Sequence, residues 1–67
     1  MTPEQFRQAR QTLGLSAAKM GLMLGYTGTS AGRMVRHMES GDRAIREAQI
    51  RLVEAYLAGY RPPDWPG

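Results

Sequence analysis

Residues 16–41, SAAKMGLMLGYTGTSAGRMVRHMESG, decide the fold. Ser16 is a good helix N-cap, and its helix is predicted to run from about Ala17 to Leu24 before Gly25 closes it. The helical period turns Met20 and Leu24 inward together, with Met23 about 100° away and half exposed. Gly21 sits mid-way along this helix, where a second helix can cross it closely. Tyr26 to Thr29 form a turn in which Gly28 permits a positive φ and the hydroxyls of Thr27, Thr29 and Ser30 are available to cap a second helix. That helix is expected over about Ala31 to Ser40, with Gly41 as its stop. Its inward stripe is Ala31, Met34, Val35 and Met38. Its outward stripe is Arg33, Arg36, His37 and Ser40. Gly32 weakens the helix by about 1 kcal/mol relative to alanine, but it leaves room for a ligand backbone to approach.

Outward from this unit the punctuation repeats. Thr2, Pro3 and Gln5 give a capping box with proline at the first helical position, so a helix is predicted over about Pro3 to Leu13, stopped by Gly14. Phe6, Ala9 or Arg10, and Leu13 fall on one face. After a linker over Asp42 to Arg46, in which Ile45 is the large apolar residue, a last helix is expected from about Glu47 to Ala58. Ile50, Val53, Leu57 and Tyr56 are its inward candidates, and Gly59 ends it. The tail YRPPDWPG cannot continue a helix, because its prolines lack the amide donor. No strand alternation is present. The fold class is therefore all-α, with one domain over residues 1–60 and a Pro-rich tail over 61–67 that packs on the domain or on a partner copy.

The chain has 67 residues, enough for one small domain with a marginal core. It has no cysteine and one histidine, so disulfides, thiolate metal sites and a structural zinc site are not expected. The polar N-terminus and the lack of a long apolar run point to a cytoplasmic protein with no membrane partner. The net charge is +3, and Arg33, Arg36, Arg43 and Arg46 fall in a short stretch whose acids are Glu39 and Asp42. A basic cluster of this kind suits nucleic acid. Enzymatic chemistry is not expected: there is no phosphate-loop glycine pattern and no carboxylate pair on a plausible cleft wall.

Arg10, LGLS at 13–16, Met20-Gly21, Leu24-Gly25, Val35 and MESG at 38–41 together resemble the phage-repressor (Xre/Cro-like) helix-turn-helix family, over about residues 4 to 58. The overall look is similar to small phage-borne regulators, including those encoded beside anti-CRISPR genes. The resemblance implies a lambda-repressor-like domain of four to five helices, and an ion pair between Arg10 and Glu39. Three departures stand out. The turn is about four residues longer, with TGTS at 27–30 as the insertion. Ala17 replaces a glutamine that often contacts phosphate. Met38 stands where an aromatic often precedes the glutamate.

On this reading the chain is a sequence-specific regulator of transcription, a repressor binding an inverted-repeat DNA operator as a homodimer. Arg33 and Arg36 are the expected base readers, since an arginine fork matches guanine O6 and N7 together. His37 is the third candidate, for a base or a phosphate. Lys19, Thr27, Thr29, Ser30, Arg43 and Arg46 are expected on the DNA backbone. Tyr56, Tyr60 and Trp65 offer aromatic area for the dimer surface, and Trp65 alternatively folds back over its own core. No cofactor and no small-molecule effector is expected. The competing readings are a helical protein-interaction module, with methionine-rich helices forming a groove, and an antitoxin-type autorepressor.

Overall fold

The computed structural model describes residues 1–66; Gly67, the end of the expected tail, lies outside the described residues. Four helices are present: α1 (Pro3–Leu13), α2 (Ala17–Met23), α3 (Ser30–Ser40) and α4 (Glu47–Leu57). Among the described residues there is no strand, and no helix is long and apolar enough to cross a membrane. The domain is all-α with four helices, the lower of the expected numbers.

Local chemistry sets the helix ends. At α1, Thr2 Oγ1 accepts from the Gln5 amide at 3.1 Å, and Gln5 Oε1 accepts from the Thr2 amide at 2.9 Å, a complete capping box. Ser16 Oγ accepts from the Lys19 amide at α2. All four C-termini close in the same way. The amide two residues beyond the last full turn reaches back to an orphan carbonyl: Leu15 to Arg10, Tyr26 to Gly21, Asp42 to His37 and Tyr60 to Ala55, at 2.9–3.2 Å. A glycine stands one residue before each of these donors, with φ between +71° and +112°.

Phe6, Met20, Val35, Met38 and Val53 are the fully buried centre, with Leu15, Met23 and Tyr56 closing around them. The α2–α3 crossing is the tightest contact. A Cβ built on Gly21 would stand 2.8 Å from Ala31 Cα and closer still to the Ala31 carbonyl. The crossing thus needs a residue without a side chain. Gly32 faces the same seam, with the Ala18 backbone 3.4 Å from where its Cβ would be. This corrects the expectation that Gly32 opens α3 to a ligand: it is buried against α2.

Inward assignments also change: Met34, expected on the inward stripe of α3, is half-buried and outside the core cluster. Met23 is buried and Leu24 only half-buried, because α2 ends at Met23 and Leu24 leaves the helical register. Leu57 is 44 % exposed, since Val53 and Tyr56 carry the inner face of α4 at its C-terminal end. Ile50 is half-buried on that helix. The radius of gyration, 10.6 Å, equals the ~11 Å expected for a folded chain of this length, so the tail adds no extension.

Candidate nucleic-acid interface

Each helix of the α2–α3 unit is fastened by a specific contact. Arg10 reaches from α1 to the end of α3: its Nε donates to Glu39 Oε2 at 2.6 Å and its Nη2 to Glu39 Oε1 at 3.1 Å. Its Nη1 donates to the Leu15 carbonyl at 3.1 Å, just before α2. One guanidinium therefore ties α1, the α1–α2 connection and α3 together, in the bidentate geometry that arginine suits and lysine does not. The pair is largely buried, at 19 % and 12 % side-chain exposure. The Glu39 hydrogen bond raises the Arg10 pKa above its ordinary value, against the smaller effect of burial.

The other end of α2 is held from α4. The Tyr56 hydroxyl donates to the Met23 carbonyl at 2.8 Å, inside the core, which satisfies an orphan acceptor of the last turn of α2. Burial raises the Tyr56 phenol above its ordinary pKa, and Tyr60 and Asp64 add to the shift. Residues 24–29 connect α2 to α3, longer than the three or four residues of the tight motif. Ser30 is helical and its hydroxyl donates to the Thr27 carbonyl at 2.7 Å. Thr29 occupies the N-cap with a helical backbone and makes no side-chain cap. The expected hydroxyl capping of α3 is therefore absent: with Thr29 already in the αR region, its oxygen is not aimed at the first amides. Thr27 and Thr29 remain exposed.

Tyr26 links this turn to the segment after α3. Gln49 Nε2 donates to the Tyr26 hydroxyl at 2.9 Å, while Gln49 Oε1 accepts from the Arg46 amide at 3.1 Å. The Arg43 guanidinium lies 5.8 Å from the Tyr26 ring centroid, a cation–π contact. Burial alone would raise the Tyr26 phenol. The Gln49 hydrogen bond and the nearby Arg43 and Arg46 outweigh it, and the net shift is downward. Sequence reasoning passes over Tyr26 and Gln49. The available signal is that Gln49 stands three residues after Arg46, the position from which a glutamine caps a helix start.

The distribution of charge partners is the main feature of the surface. Arg7 pairs with Glu4 on α1, Arg51 with Glu47 on α4, and Arg10 with Glu39. Arg61 stacks 4.3 Å over Trp65 and donates to the Tyr56 and Tyr60 carbonyls. Among the described residues, Lys19, Arg33, Arg36, Arg43 and Arg46 have no carboxylate within 4.0 Å. They lie on α2, α3 and the linker after α3. Arg33 and Arg36 are exposed on the outer face of α3, as the period predicts. The Arg36 Nη1 lies 3.5 Å from where a Cβ on Gly32 would be, so its head leans toward the N-terminal half of α3. His37 is half exposed, with its Nδ1 3.8 Å from Asp42 Oδ2. Ser40 Oγ lies 3.0 Å from that same Asp42 oxygen. His37 thus shares its end of the face with an acid, which Arg33 and Arg36 do not.

The aromatic cluster at the C-terminus is turned inward. Tyr56 is buried, Trp65 packs edge-on against it at 5.1 Å between ring centroids, and Tyr60 stacks on it at 6.0 Å. Of the residues expected at a dimer surface, Tyr60 alone is largely exposed, at 53 %. No family model, curated protein or solved structure matches this chain.

Proposed function

We propose that this chain is a sequence-specific double-stranded DNA-binding regulator of the phage-repressor helix-turn-helix kind. It acts as a homodimer on an inverted-repeat operator and represses by occluding the promoter. The observation that carries the reading is the segregation of charge. The cations of α1 and α4 have carboxylate partners, whereas Lys19, Arg33, Arg36, Arg43 and Arg46 have none among the described residues. Cationic side chains without a carboxylate partner are strong donors held ready for phosphate and base edges, and they add the long-range attraction that nucleic acid exerts on a basic patch. In this reading α3 lies in the major groove, with Arg33 and Arg36 on base edges. Lys19, Arg43, Arg46 and the hydroxyls of Thr27 and Thr29 meet the flanking phosphates.

A helix-binding module would instead expose its methionines. Met20, Met23 and Met38 are buried in the core and Met34 alone of the helical methionines is half-buried outside it, too little for a methionine-lined groove, and that favours DNA over a partner helix. With Tyr56 and Trp65 committed to the core, the self-contact falls to Tyr60 and Leu57 at the end of α4.

The test is a titration of wild type, Arg33→Ala, Arg36→Ala and Arg43→Ala against the inverted repeat upstream of the gene, at two salt concentrations. Loss of Arg33 or Arg36 is expected to cost about 1–3 kcal/mol and to relax preference at one position. Loss of Arg43 is expected to weaken all duplexes alike and lower the salt slope by about one per protomer. Wild-type binding by both Arg33→Ala and Arg36→Ala would remove α3 as the reader.

A further inference from the structure

The turn between α2 and α3 holds a hydroxyl proton that the protein itself does not use. The Arg46 amide can only donate, so the Gln49 atom that faces it at 3.1 Å is the carboxamide oxygen. The nitrogen end of the same carboxamide therefore faces Tyr26, 2.9 Å from its hydroxyl. A carboxamide nitrogen cannot accept, so the Tyr26 oxygen accepts here and its own proton points elsewhere. Among the described residues nothing takes that proton, in contrast to Tyr56, whose hydroxyl donates to the Met23 carbonyl.

The surroundings of the proton are cationic. The Arg43 guanidinium lies 5.8 Å from the Tyr26 ring centroid. Burial opposes ionisation of the phenol, and Gln49, Arg43 and Arg46 together outweigh it. Neither arginine has a carboxylate partner among the described residues. The Tyr26 backbone is fixed as well: its amide donates to the carbonyl of Gly21, the residue at which α3 crosses α2, at 3.0 Å. A proton donor held beside two unpartnered cations suits an anionic acceptor. A phosphodiester matches this set, because its unesterified oxygens take hydrogen bonds from arginine and tyrosine alike.

We infer that the Tyr26 hydroxyl donates to a backbone phosphate of the duplex, the same phosphate that Arg43 and Arg46 approach. This rests on the DNA-binding reading above. It adds an uncharged ligand in a turn where the sequence points only to Thr27, Thr29 and Ser30.

The experiment compares full-length wild type with Tyr26→Phe, which keeps the ring beside Arg43 and removes the hydroxyl. Both are titrated on the inverted repeat upstream of the gene and on an unrelated duplex, at two salt concentrations and below both melting temperatures. Tyr26→Phe should bind each duplex about three- to thirtyfold more weakly per half-site, the value of one hydrogen bond to a charged acceptor partly open to water. The salt slope should stay at the wild-type value, because no cation is lost. Methylphosphonate, which neutralises one phosphate at a time, is then walked along the inverted repeat. At one phosphate in each half-site it should cost Tyr26→Phe less than wild type, the coupling expected of two groups in contact. Wild-type affinity of Tyr26→Phe, a loss confined to the inverted repeat, or equal methylphosphonate costs at every position overturns the inference while DNA binding stands. Retention of no duplex by wild type overturns both.

Discussion

At the scale of single residues, the Arg10–Glu39 pair shows how one contact positions a surface. Its guanidinium spends three donors on Glu39 and the Leu15 carbonyl, so removing it strands both a carboxylate and a backbone acceptor. Exposed pairs are worth ~0–1 kcal/mol; breaking a fully buried one costs about 3–5 kcal/mol. At 19 % and 12 % exposure this pair stands between them. Arg10→Ala and Glu39→Ala are each expected to lose about 2 kcal/mol in denaturant titrations, and Arg10→Lys, without the fork, to recover only part of it. Near-wild-type midpoints for both alanine variants would return the pair to the surface. Tyr56 offers a second test, in pH. Its folded pKa stands above the ordinary 10.0, so above about pH 10 the unfolded chain has lost a proton that the native state keeps. Unfolding then releases that proton, and stability falls as pH rises. Below pH 10 the contribution is complete. Tyr56→Phe should lose ~1 kcal/mol at neutral pH with the hydrogen bond to Met23. The gap to wild type should then narrow in alkaline melts. Tyr26, shifted the opposite way, is present in both proteins and cancels from the difference. A gap that widens above pH 10 would contradict this account.

Among elements, α2 depends most on its neighbours. Seven residues are too few for an isolated helix to persist in water. It exists because α3 crosses it at Gly21, Tyr56 holds its last carbonyl, and Arg10 holds the connection before it. The two seam glycines should therefore respond oppositely to the same change. Gly21→Ala gains about 1 kcal/mol of helix propensity but drives its Cβ into the Ala31 backbone, which cannot rotate away. A net loss of about 2–3 kcal/mol, or failure to fold, is expected. Gly32→Ala meets Ala18 at 3.4 Å, close to ordinary contact, so propensity prevails and the melting temperature should hold or rise. Equal effects in thermal melts would mean that the seam is looser than these distances. Helix starts and stops are legible in the sequence because they are local: Thr2, Ser16 and the four glycines act within a turn of themselves. The importance of Gly21 is also legible, because a mid-helix glycine has few other uses. Burial at helix ends is not. Whether Met23 or Leu24 points inward turns on a single residue of helix length, and Leu57 loses its place because Tyr56 fills it. Gly32 misleads because its partner, Ala18, lies fourteen residues away and only the crossing brings them together.

For the whole molecule, the sequence lists cations without showing which ones are paired, and the fold supplies that distinction. The Glu4–Arg7 and Glu47–Arg51 pairs follow from helical spacing alone, but the bareness of Arg33 and Arg36 depends on where Glu39 goes. Arg10, from a different helix, takes that carboxylate and leaves the outer face of α3 without a competing acid beside its two arginines. The C-terminal aromatics are redistributed in the opposite sense. In the sequence, Tyr56, Tyr60 and Trp65 look like a ready dimer patch. In the fold, Trp65 closes over Tyr56 with Arg61 stacked on its ring, and the apolar area left over at this end of the molecule is Leu57 at 44 % and Tyr60 at 53 % exposure, Leu22 on α2 being the other exposed large hydrophobic. Those two side chains cannot supply the roughly 800 Å² per partner of a stable interface. The self-contact should therefore be weak in free solution and become effective on DNA, where two half-sites hold the protomers at high effective concentration. Native mass spectrometry at micromolar concentration should show mostly monomer without DNA and two protomers per inverted-repeat duplex. Leu57→Glu should keep the wild-type melting temperature, since that side chain is largely outside the core. It should still occupy a single half-site with wild-type affinity but lose the cooperative second step. One wild-type protomer per inverted repeat would overturn the dimer, and an unchanged second step in Leu57→Glu would move the contact away from the end of α4.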